Sequence, residues 1–287
     1  MIFKDNYLVP KGSGENFSIE FTDLVFRNNY FEESLLAAEE LASKKNGPLY
    51  LMYSGGVDSE YALSCFLHLG IDITPVIVQL NPNYNKHDTD YAFKFCEQKN
   101  LNPLIIDIDY DHFIKSGKML EISLKTKSSI PHYSTTAFAV GKLDGTVICG
   151  DGEPYIKLDT KTNTWDIVIY EYDFALPNFY KQNNIPGTPR FNNYTCFMER
   201  AFLEDKRMKE LAQNLVPGKL GSHSSKCLIY NRHSNFRLEY RQKYHGLEQI
   251  EKSSIYNHED FKELKKLGQS YDGIFSTNYF DFMKKLP

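Results

Sequence analysis

An α/β fold built on a doubly wound parallel sheet is predicted for residues 48–155. From residue 49 onward, short apolar runs alternate with stretches of helical period, which is the rhythm of successive β–α–β units. The run 73–80 is almost continuously apolar, as strands buried on both faces are. A glycine-rich hexapeptide separates the first predicted strand from its helix. These observations predict a Rossmann-like sheet with a ligand cleft at the carboxyl ends of its strands.

The chain divides into three predicted regions. Residues 1–47 form an N-terminal strand and helix extension, residues 48–155 form the α/β domain, and residues 156–287 form a hairpin followed by a mainly helical region for substrate binding or oligomerisation. In the extension, a turn at Lys11–Gly14 precedes a strand at Phe17–Phe21.

The individual elements follow from hydrophobic period and from capping residues. Asn29 and Glu32 form a capping pair that opens the first helix. The predicted strands are 49–53, 73–80, 103–108 and 146–149, and the hairpin spans 156–172. The predicted helices are 60–69, 88–99, 112–127, 135–143 capped by Ser134, 174–181 and 194–214, with a loop at Pro186–Arg190.

Composition excludes several classes of protein. Hydrophobic residues make up 41% of the 287 and charged residues 24%, as in ordinary globular proteins. The net charge of −4 argues against nucleic acid as a ligand, since proteins that bind it are more often basic. The sequence has neither an apolar run long enough to span a membrane nor a signal-peptide core at its start. Five scattered cysteines without a C-x-x-C pair indicate a reducing cytoplasm rather than a zinc site.

The hexapeptide Ser54–Ser59 has the features of a phosphate-binding loop. Its position between strand and helix gathers unpaired backbone N–H groups at the positive end of a helix dipole. Gly55 and Gly56 allow close approach of an anion and a positive φ. Ser54 and Ser59 offer hydroxyl donors, and Asp58 could serve a phosphate-bound Mg²⁺ or cap the helix. The alternative is a corner that binds nothing.

The letters S-G-G-V-D-S resemble the PP-loop, S-G-G-x-D-S, of the N-type ATP pyrophosphatases, an adenine nucleotide alpha-hydrolase-like superfamily. It includes asparagine, GMP, NAD and lysidine synthetases, 7-cyano-7-deazaguanine synthase and the sulfonucleotide reductases. The resemblance implies ATP as cofactor, a strand order of 3-2-1-4-5, and pyrophosphate release after adenylation of a substrate. Val57 at the variable position is similar to the amide-forming branches, and the resemblance points to the branch of asparagine synthetase and 7-cyano-7-deazaguanine synthase.

ATP would lie along the carboxyl edge of the sheet, with its adenine over the loops that follow the first two strands. The predicted cofactor-binding residues are Tyr53, Ser54, Gly55, Gly56, Val57, Asp58, Ser59, Leu80 and Gly150.

A second acidic segment, Gly150–Tyr155, follows the fourth predicted strand and faces the same cleft. ATP chemistry needs Mg²⁺, which binds one or two carboxylates together with phosphate oxygens. Asp58, Asp151 and Glu153 are therefore the predicted metal ligands. Asparagine synthetase has an acidic loop at this point, but its G-A-D-E core is absent here. A solvated turn is the alternative, because Gly-Asp-Gly is also common turn chemistry.

Basic residues are concentrated in the segments Gly218–Cys227 and Asn231–Arg237 and at Arg241. A basic loop there could close over the triphosphate, although a solvated basic face is the alternative. The predicted catalytic residues are Asp58, Asp151, Lys226 and Arg232, with Arg237 and Lys157 as further basic candidates.

The sequence thus predicts a Mg²⁺-dependent ATP pyrophosphatase that adenylates a carboxylate or carbonyl oxygen of a small molecule. An amine or ammonia would then displace AMP. About 48 residues precede the phosphate strand, too few for a glutamine-hydrolysing domain, so ammonia would come free or from a partner protein. A homo-oligomer is compatible with the sequence. One alternative is sulfur transfer through Cys149 or Cys196, as in a thiolation or sulfonucleotide-reductase-like enzyme. Another is a nucleotide-binding module without turnover.

Overall fold

A five-stranded parallel sheet forms the centre of the computed structural model, which describes residues 9–10, 19–20, 28–215, 222–241, 248–268 and 273–285. The strands are β1 Val9–Pro10, β2 Ile19–Glu20, β3 Leu49–Met52, β4 Thr74–Asn81, β5 Leu104–Asp109, β6 Thr146–Cys149, β7 Ile156–Asp159, β8 Thr164–Tyr170, β9 Gly187–Thr188 and β10 Ile274–Asn278. The helices are α1 Tyr30–Ser43, α2 Val57–His68, α3 Lys86–Gln98, α4 Tyr110–Lys115, α5 Lys118–Thr126, α6 Pro131–Val140, α7 Ala175–Asn183, α8 Cys196–Glu204, α9 Lys206–Ala212, α10 Ser222–His233, α11 Glu248–Glu251, α12 Glu259–Gly268 and α13 Tyr279–Lys285.

The parallel sheet has the strand order β5-β4-β3-β6-β9. Counted along the chain within this sheet, the order is 3-2-1-4-5, so the predicted fold class is confirmed. Residues of β3 alternate between two hydrophobic clusters, with Leu51 in one and Met52 in the other. Ile148 and Val147 of β6 alternate in the same way. Because successive side chains of a strand point to opposite faces, the two clusters cover the two faces of the sheet.

The fifth strand, β9, lies where the sequence predicts only the loop Pro186–Arg190, and that prediction is wrong. Gly187 pairs with Val147, and Thr188 pairs with Ile148. Gly187 has a φ of +112°, and a Cβ there would lie 2.0 Å from the carbonyl oxygen of Val147. A strand of two residues beside two prolines carries no period-2 pattern, so only its pairing with β6 identifies it.

A second, antiparallel sheet has the order β10-β8-β7. Its β7–β8 hairpin confirms the strand–turn–strand pattern predicted for residues 156–172, with Ile156 opposite Ile167. β10 joins the outer side of β8 from near the C-terminus. This strand was not predicted. The three-domain division stays a prediction.

Three predicted helices differ from the structure at identifiable positions. Helix 112–127 is divided into α4 and α5, because Gly117 has a φ of +73° between them. Ser134 does not cap α6, which begins at Pro131, a residue whose fixed φ suits the first helical position. Helix 194–214 breaks at Asp205, whose ψ of 141° is extended and whose carboxylate caps α9. At α1, the capping box of Asn29 and Glu32 is confirmed.

The N-terminal extension is described in part. Val9–Pro10 pairs with Ile19–Glu20 as two antiparallel strands, while the predicted turn at Lys11–Gly14 lies outside the described residues. None of the helices in the described ranges is both long and apolar enough to cross a membrane. All five cysteines lie in those ranges, and each is a buried free thiol.

Candidate nucleotide site

The predicted phosphate loop connects the carboxyl end of β3 to the start of α2. Gly55 has a φ of +85°, and a Cβ on it would lie 2.2 Å from the carbonyl oxygen of Asp88 in α3. Gly56 is extended and precedes the first helical residue, Val57. The first N–H groups of a helix have no partner within it, and Ser54, beside them, is exposed. An anion could therefore reach the loop from solvent.

Hydroxyl groups brace this loop from inside. The Ser54 and Ser59 hydroxyl oxygens are 3.1 Å apart, and the Gly56 N–H donates to Ser54 Oγ at 3.2 Å. Ser59 also donates to the carbonyl oxygen of Gly56 at 3.0 Å. Because these bonds fix the turn before any ligand binds, the loop is preorganised.

The loop after β6 packs directly against the phosphate loop. A Cβ on Gly150 would lie 2.4 Å from the Cα of Ser59, so only glycine allows the contact. The buried amide of Asn192 donates to the carbonyl oxygen of Gly150 at 2.5 Å and to that of Asp58 at 3.4 Å. Asn192 thus ties the two predicted site segments together, and no pattern in the sequence indicates it.

An ionic cluster forms where these loops meet α10. Lys226 Nζ donates to Asp58 Oδ2, and to Glu153 Oε1 at 3.0 Å, while the Tyr230 hydroxyl donates to Asp58 Oδ1 at 2.8 Å. The Lys226 side chain is only 7% exposed. Burial lowers the pKa of its ammonium, but the two carboxylates outweigh burial and raise that pKa above its usual range. Lys226 is therefore a fixed positive charge at the phosphate loop.

Stacked aromatic rings hold α10 in this position. The Tyr61 and Tyr230 rings are 4.2 Å apart and within 12° of parallel, and Tyr30 stacks beside both. Tyr230 lies four residues after Lys226, so both side chains are on one face of α10. The stack therefore aims the ammonium and the phenol at Asp58 together.

Arg241 supports the phosphate loop from another side. Its guanidinium donates to the carbonyl oxygen of Gly55, and to Glu60 Oε2 at 2.5 Å. It lies 4.9 Å from the centre of the Tyr91 ring. The Tyr53 hydroxyl donates to the same carboxylate oxygen at 2.8 Å. Arg241 was visible in sequence only as one of several basic residues.

Replacing Arg241 by glutamine should destabilise the protein, because the buried Glu60 would lose its cationic partner. We expect a loss of about 2 kcal/mol in the free energy of unfolding, less than for a fully buried pair since the guanidinium keeps some exposure. Urea unfolding followed by circular dichroism measures it. Arg237→Gln is the control, since Arg237 is exposed, and it should change stability by less than about 0.5 kcal/mol. Equal stability of the two variants would contradict the role given to Arg241.

The two residues predicted to contact adenine have side chains buried in the protein core. Tyr53 and Leu80 are buried in the two hydrophobic clusters, and the Leu80 N–H donates to Asn85 at 2.9 Å. Their role in adenine binding stays a prediction.

The three predicted metal ligands are not equivalent in position. Asp58 and Glu153 converge on one ammonium, whereas Asp151 is exposed and lines a neighbouring cavity. The described residues contain no group of three His, Cys, Asp or Glu side chains that could hold a metal ion. Both carboxylates bind the Lys226 ammonium, so Mg²⁺ would share them with that cation and take its further ligands from phosphate oxygens. The donor set therefore suits a metal that arrives with a nucleotide.

The remaining basic candidates lie elsewhere. The Arg232 guanidinium donates to Asp205, whose carboxylate also contacts His233 Nε2 at 3.0 Å. The Arg232 side chain is therefore bound at the break between α8 and α9. Lys157 is exposed on β7. In the basic segment, residues 218–221 lie outside the described residues. A catalytic role for Arg232 stays a prediction.

A cavity of about 320 Å³ opens beside the ionic cluster. Its lining includes four tyrosines, three carboxylates and one arginine: Tyr133, Tyr155, Tyr170, Tyr172, Asp151, Glu153, Asp173 and Arg190. Glu153 belongs both to this lining and to the Lys226 cluster, so the cavity adjoins the phosphate loop.

Comparisons with known proteins give structural likeness at low sequence identity. No family model matches the chain, and no curated protein matches it. Similar solved structures include an NH3-dependent NAD synthetase from Campylobacter jejuni (17% identity, 90% of this chain, 96% of that chain, TM-score 0.35). An NMN synthetase from Francisella tularensis is 16% identical, with 82% of this chain and 97% of that chain covered and a TM-score of 0.34. A predicted tRNA methyltransferase subunit from Methanocaldococcus jannaschii is 13% identical, with 69% of this chain and 94% of that chain covered and a TM-score of 0.32.

The phosphate loop and the sheet of this chain give a more specific likeness. The hexapeptide has all five fixed letters of the PP-loop, it lies between the central strand and its helix, and the sheet has the implied order. In loop sequence and sheet order, the chain is similar to the PP-loop ATP pyrophosphatases.

Proposed function

We propose that this protein is a Mg²⁺-dependent ATP pyrophosphatase that adenylates a small-molecule substrate and releases AMP when an amine or ammonia attacks. The observation that carries the proposal is the ionic cluster of Asp58, Lys226 and Glu153. It joins the phosphate loop, the acidic loop after β6 and α10 at one point. That point lies at the carboxyl ends of the central strands, where ligands of open parallel sheets bind.

The backbone of residues 54–59 would bind the β- and γ-phosphates as the leaving group. The helix dipole favours the negative charge, and amides fixed before binding cost no reorganisation. Lys226 would add a full positive charge close to the departing pyrophosphate. Tyr230 would keep Asp58 oriented while the charge develops.

Asp58 and Glu153 are the residues that would hold Mg²⁺ on the phosphates. The metal, when bound, would neutralise phosphate charge and so make the α-phosphorus open to attack. Catalysis by positioning and charge needs no protein nucleophile. The substrate oxygen attacks the α-phosphorus, the bond to the β-phosphate oxygen breaks, and pyrophosphate leaves.

ATP affinity and pyrophosphate release, measured in the same sample, test the proposal against a binding module without turnover. The sample would contain the low-molecular-weight fraction of a cell extract as a source of acceptors. We expect saturable ATP binding and extract-dependent pyrophosphate release. Binding without release would favour the module, and absence of binding would contradict both readings.

Sulfur transfer through Cys149 is the second candidate function, and the surroundings of the thiol argue against it. Cys149 is buried at the end of β6, and its sulfur is 3.3 Å from the Tyr180 hydroxyl. Burial raises the pKa of this thiol to about 12, so it stays protonated at neutral pH, whereas sulfur chemistry needs the thiolate.

Replacing Cys149 by serine should therefore leave pyrophosphate release almost unchanged. The serine hydroxyl can keep the bond to Tyr180, and we expect kcat/KM within about threefold of the wild-type value, below the effect of a lost catalytic group. Cys196→Ser is the companion variant, because Cys196 is the other thiol that could carry sulfur. Loss of turnover in either variant, with folding intact, would revive the sulfur-transfer reading.

A further inference from the structure

The cavity beside the ionic cluster has a continuous aromatic wall. The rings of Tyr155 and Tyr170 are 6.4 Å apart, those of Tyr170 and Tyr172 are 4.8 Å apart, and those of Tyr172 and Tyr133 are 6.4 Å apart. Tyr170 and Tyr172 are within 8° of parallel. All four side chains are only partly buried, and all four line the cavity.

Carboxylates outnumber cations in the same lining. Asp151, Glu153 and Asp173 line the cavity together with Arg190. Lys226, outside the lining, donates to Glu153, and His132 lies in the lining beside Tyr133. Asp173 is fixed beside the rings, because it accepts from the Tyr133 hydroxyl at 3.2 Å and from the Tyr170 N–H at 3.0 Å.

Aromatic faces and carboxylates attract the same kind of ligand. The face of an aromatic ring carries partial negative charge and binds ammonium groups, most strongly where water is excluded. A phosphate or carboxylate group would meet both the ring faces and the carboxylates unfavourably. A cavity of about 320 Å³ lies at the small end of the range for ligand pockets, so it suits a compact molecule.

We infer that the cavity lined by Tyr133, Tyr155, Tyr170 and Tyr172 binds an organic ammonium ion, the protonated form of an amine co-substrate. Binding of the cation stands on the cavity alone, whereas its use as the nucleophile rests on the function proposed above. Glu153 connects this cavity to Lys226 and Asp58, so a bound amine would lie next to an adenylated substrate.

In the reaction, the ammonium first transfers one proton to a carboxylate of the cavity. The nitrogen lone pair then forms a bond to the activated carbon of the adenylated substrate. The bond between that carbon and the AMP oxygen breaks, and AMP leaves with the electron pair. A second proton then passes from the nitrogen to solvent water, which leaves the neutral product.

Isothermal titration of three ligands of one shape, benzylamine, benzyl alcohol and benzoate, tests the inference without any nucleotide. At neutral pH the first is a cation, the second is neutral and the third is an anion. We expect benzylamine to bind at least about tenfold more tightly than benzyl alcohol, as a desolvated cation–π contact allows, and benzoate to bind most weakly. Equal affinity of benzylamine and benzyl alcohol, or preference for benzoate, would overturn the inference.

Variants locate the binding. Asp173→Asn and Tyr172→Leu should each weaken benzylamine binding by about tenfold, while Asp144→Asn, an exposed carboxylate outside the lining, should not change it. Asp151→Asn serves as the second charge variant, since Asp151 is exposed and its replacement should leave the fold intact. Benzylamine binding that survives every cavity variant would place the cation elsewhere and refute the inference. Because no ATP is present, failure of the proposed enzyme would leave these results unaffected.

Discussion

Replacing Lys226 by methionine should strongly reduce turnover and destabilise the fold. The substitution leaves Asp58 and Glu153 facing each other without their shared cation, and their side chains are only 19% and 12% exposed. Breaking a buried ion pair in this way costs about 3 kcal/mol of unfolding free energy. Loss of a fixed charge beside the leaving group should lower kcat/KM for pyrophosphate release by at least about a hundredfold.

A double variant separates the two effects. In Lys226→Met with Glu153→Gln, one carboxylate is gone and Asp58 keeps its bond from Tyr230. The double variant should regain at least half of the lost free energy of unfolding, as measured by urea unfolding. Its turnover should stay low, because the cation is still missing. If Lys226→Met unfolds at the wild-type urea concentration and retains turnover, the cluster described here does not hold the site together.

Gly55→Ala should also cause a large loss of stability and of ATP binding, for two independent reasons. The φ of +85° is costly for any residue with a Cβ, and that Cβ would lie 2.2 Å from the backbone oxygen of Asp88. Since backbone cannot give way as a flexible side chain can, the loop must move. We expect a loss of at least about 3 kcal/mol in unfolding free energy and loss of ATP binding.

Gly70→Ala is the matched control at the other end of the same helix. Gly70 also has a positive φ, +66°, but a Cβ there would meet nothing within 4 Å. It should cost only about 1 kcal/mol, the penalty of the backbone conformation, and leave ATP affinity unchanged. Comparable losses in the two variants would show that conformation, not the approach of α3 to the loop, makes Gly55 necessary.

The parts of the site that the sequence predicts are those encoded by neighbouring residues. The hexapeptide lies within six consecutive positions, and the acidic loop directly follows a predicted strand. The rhythm of strands and helices gives the fold class, and the family resemblance adds the strand order. Each of these signals can be recognised in the sequence without knowledge of tertiary contacts.

The contacts that complete the site cannot be predicted from the sequence, because they join residues that are far apart along the chain. Tyr230 and Arg241 lie 172 and 186 positions from the residues that they bind, and Asn192 lies 134 positions from Asp58. Only packing brings them together, and a single tyrosine or asparagine carries no periodic signal. Lys226 was predicted only as one of several basic residues in two neighbouring segments, and the same argument suggested Arg232, whose partner is Asp205.

The phosphorus-containing products show whether this protein cleaves ATP as a pyrophosphatase. Phosphorus NMR of ATP incubated with the protein, Mg²⁺ and a low-molecular-weight extract distinguishes cleavage at the α-phosphorus from cleavage at the γ-phosphorus. We expect AMP and pyrophosphate in equal amounts, with both formed at least about a hundredfold more slowly when Lys226→Met replaces the wild type. Formation of ADP and inorganic phosphate would contradict adenylation of a substrate.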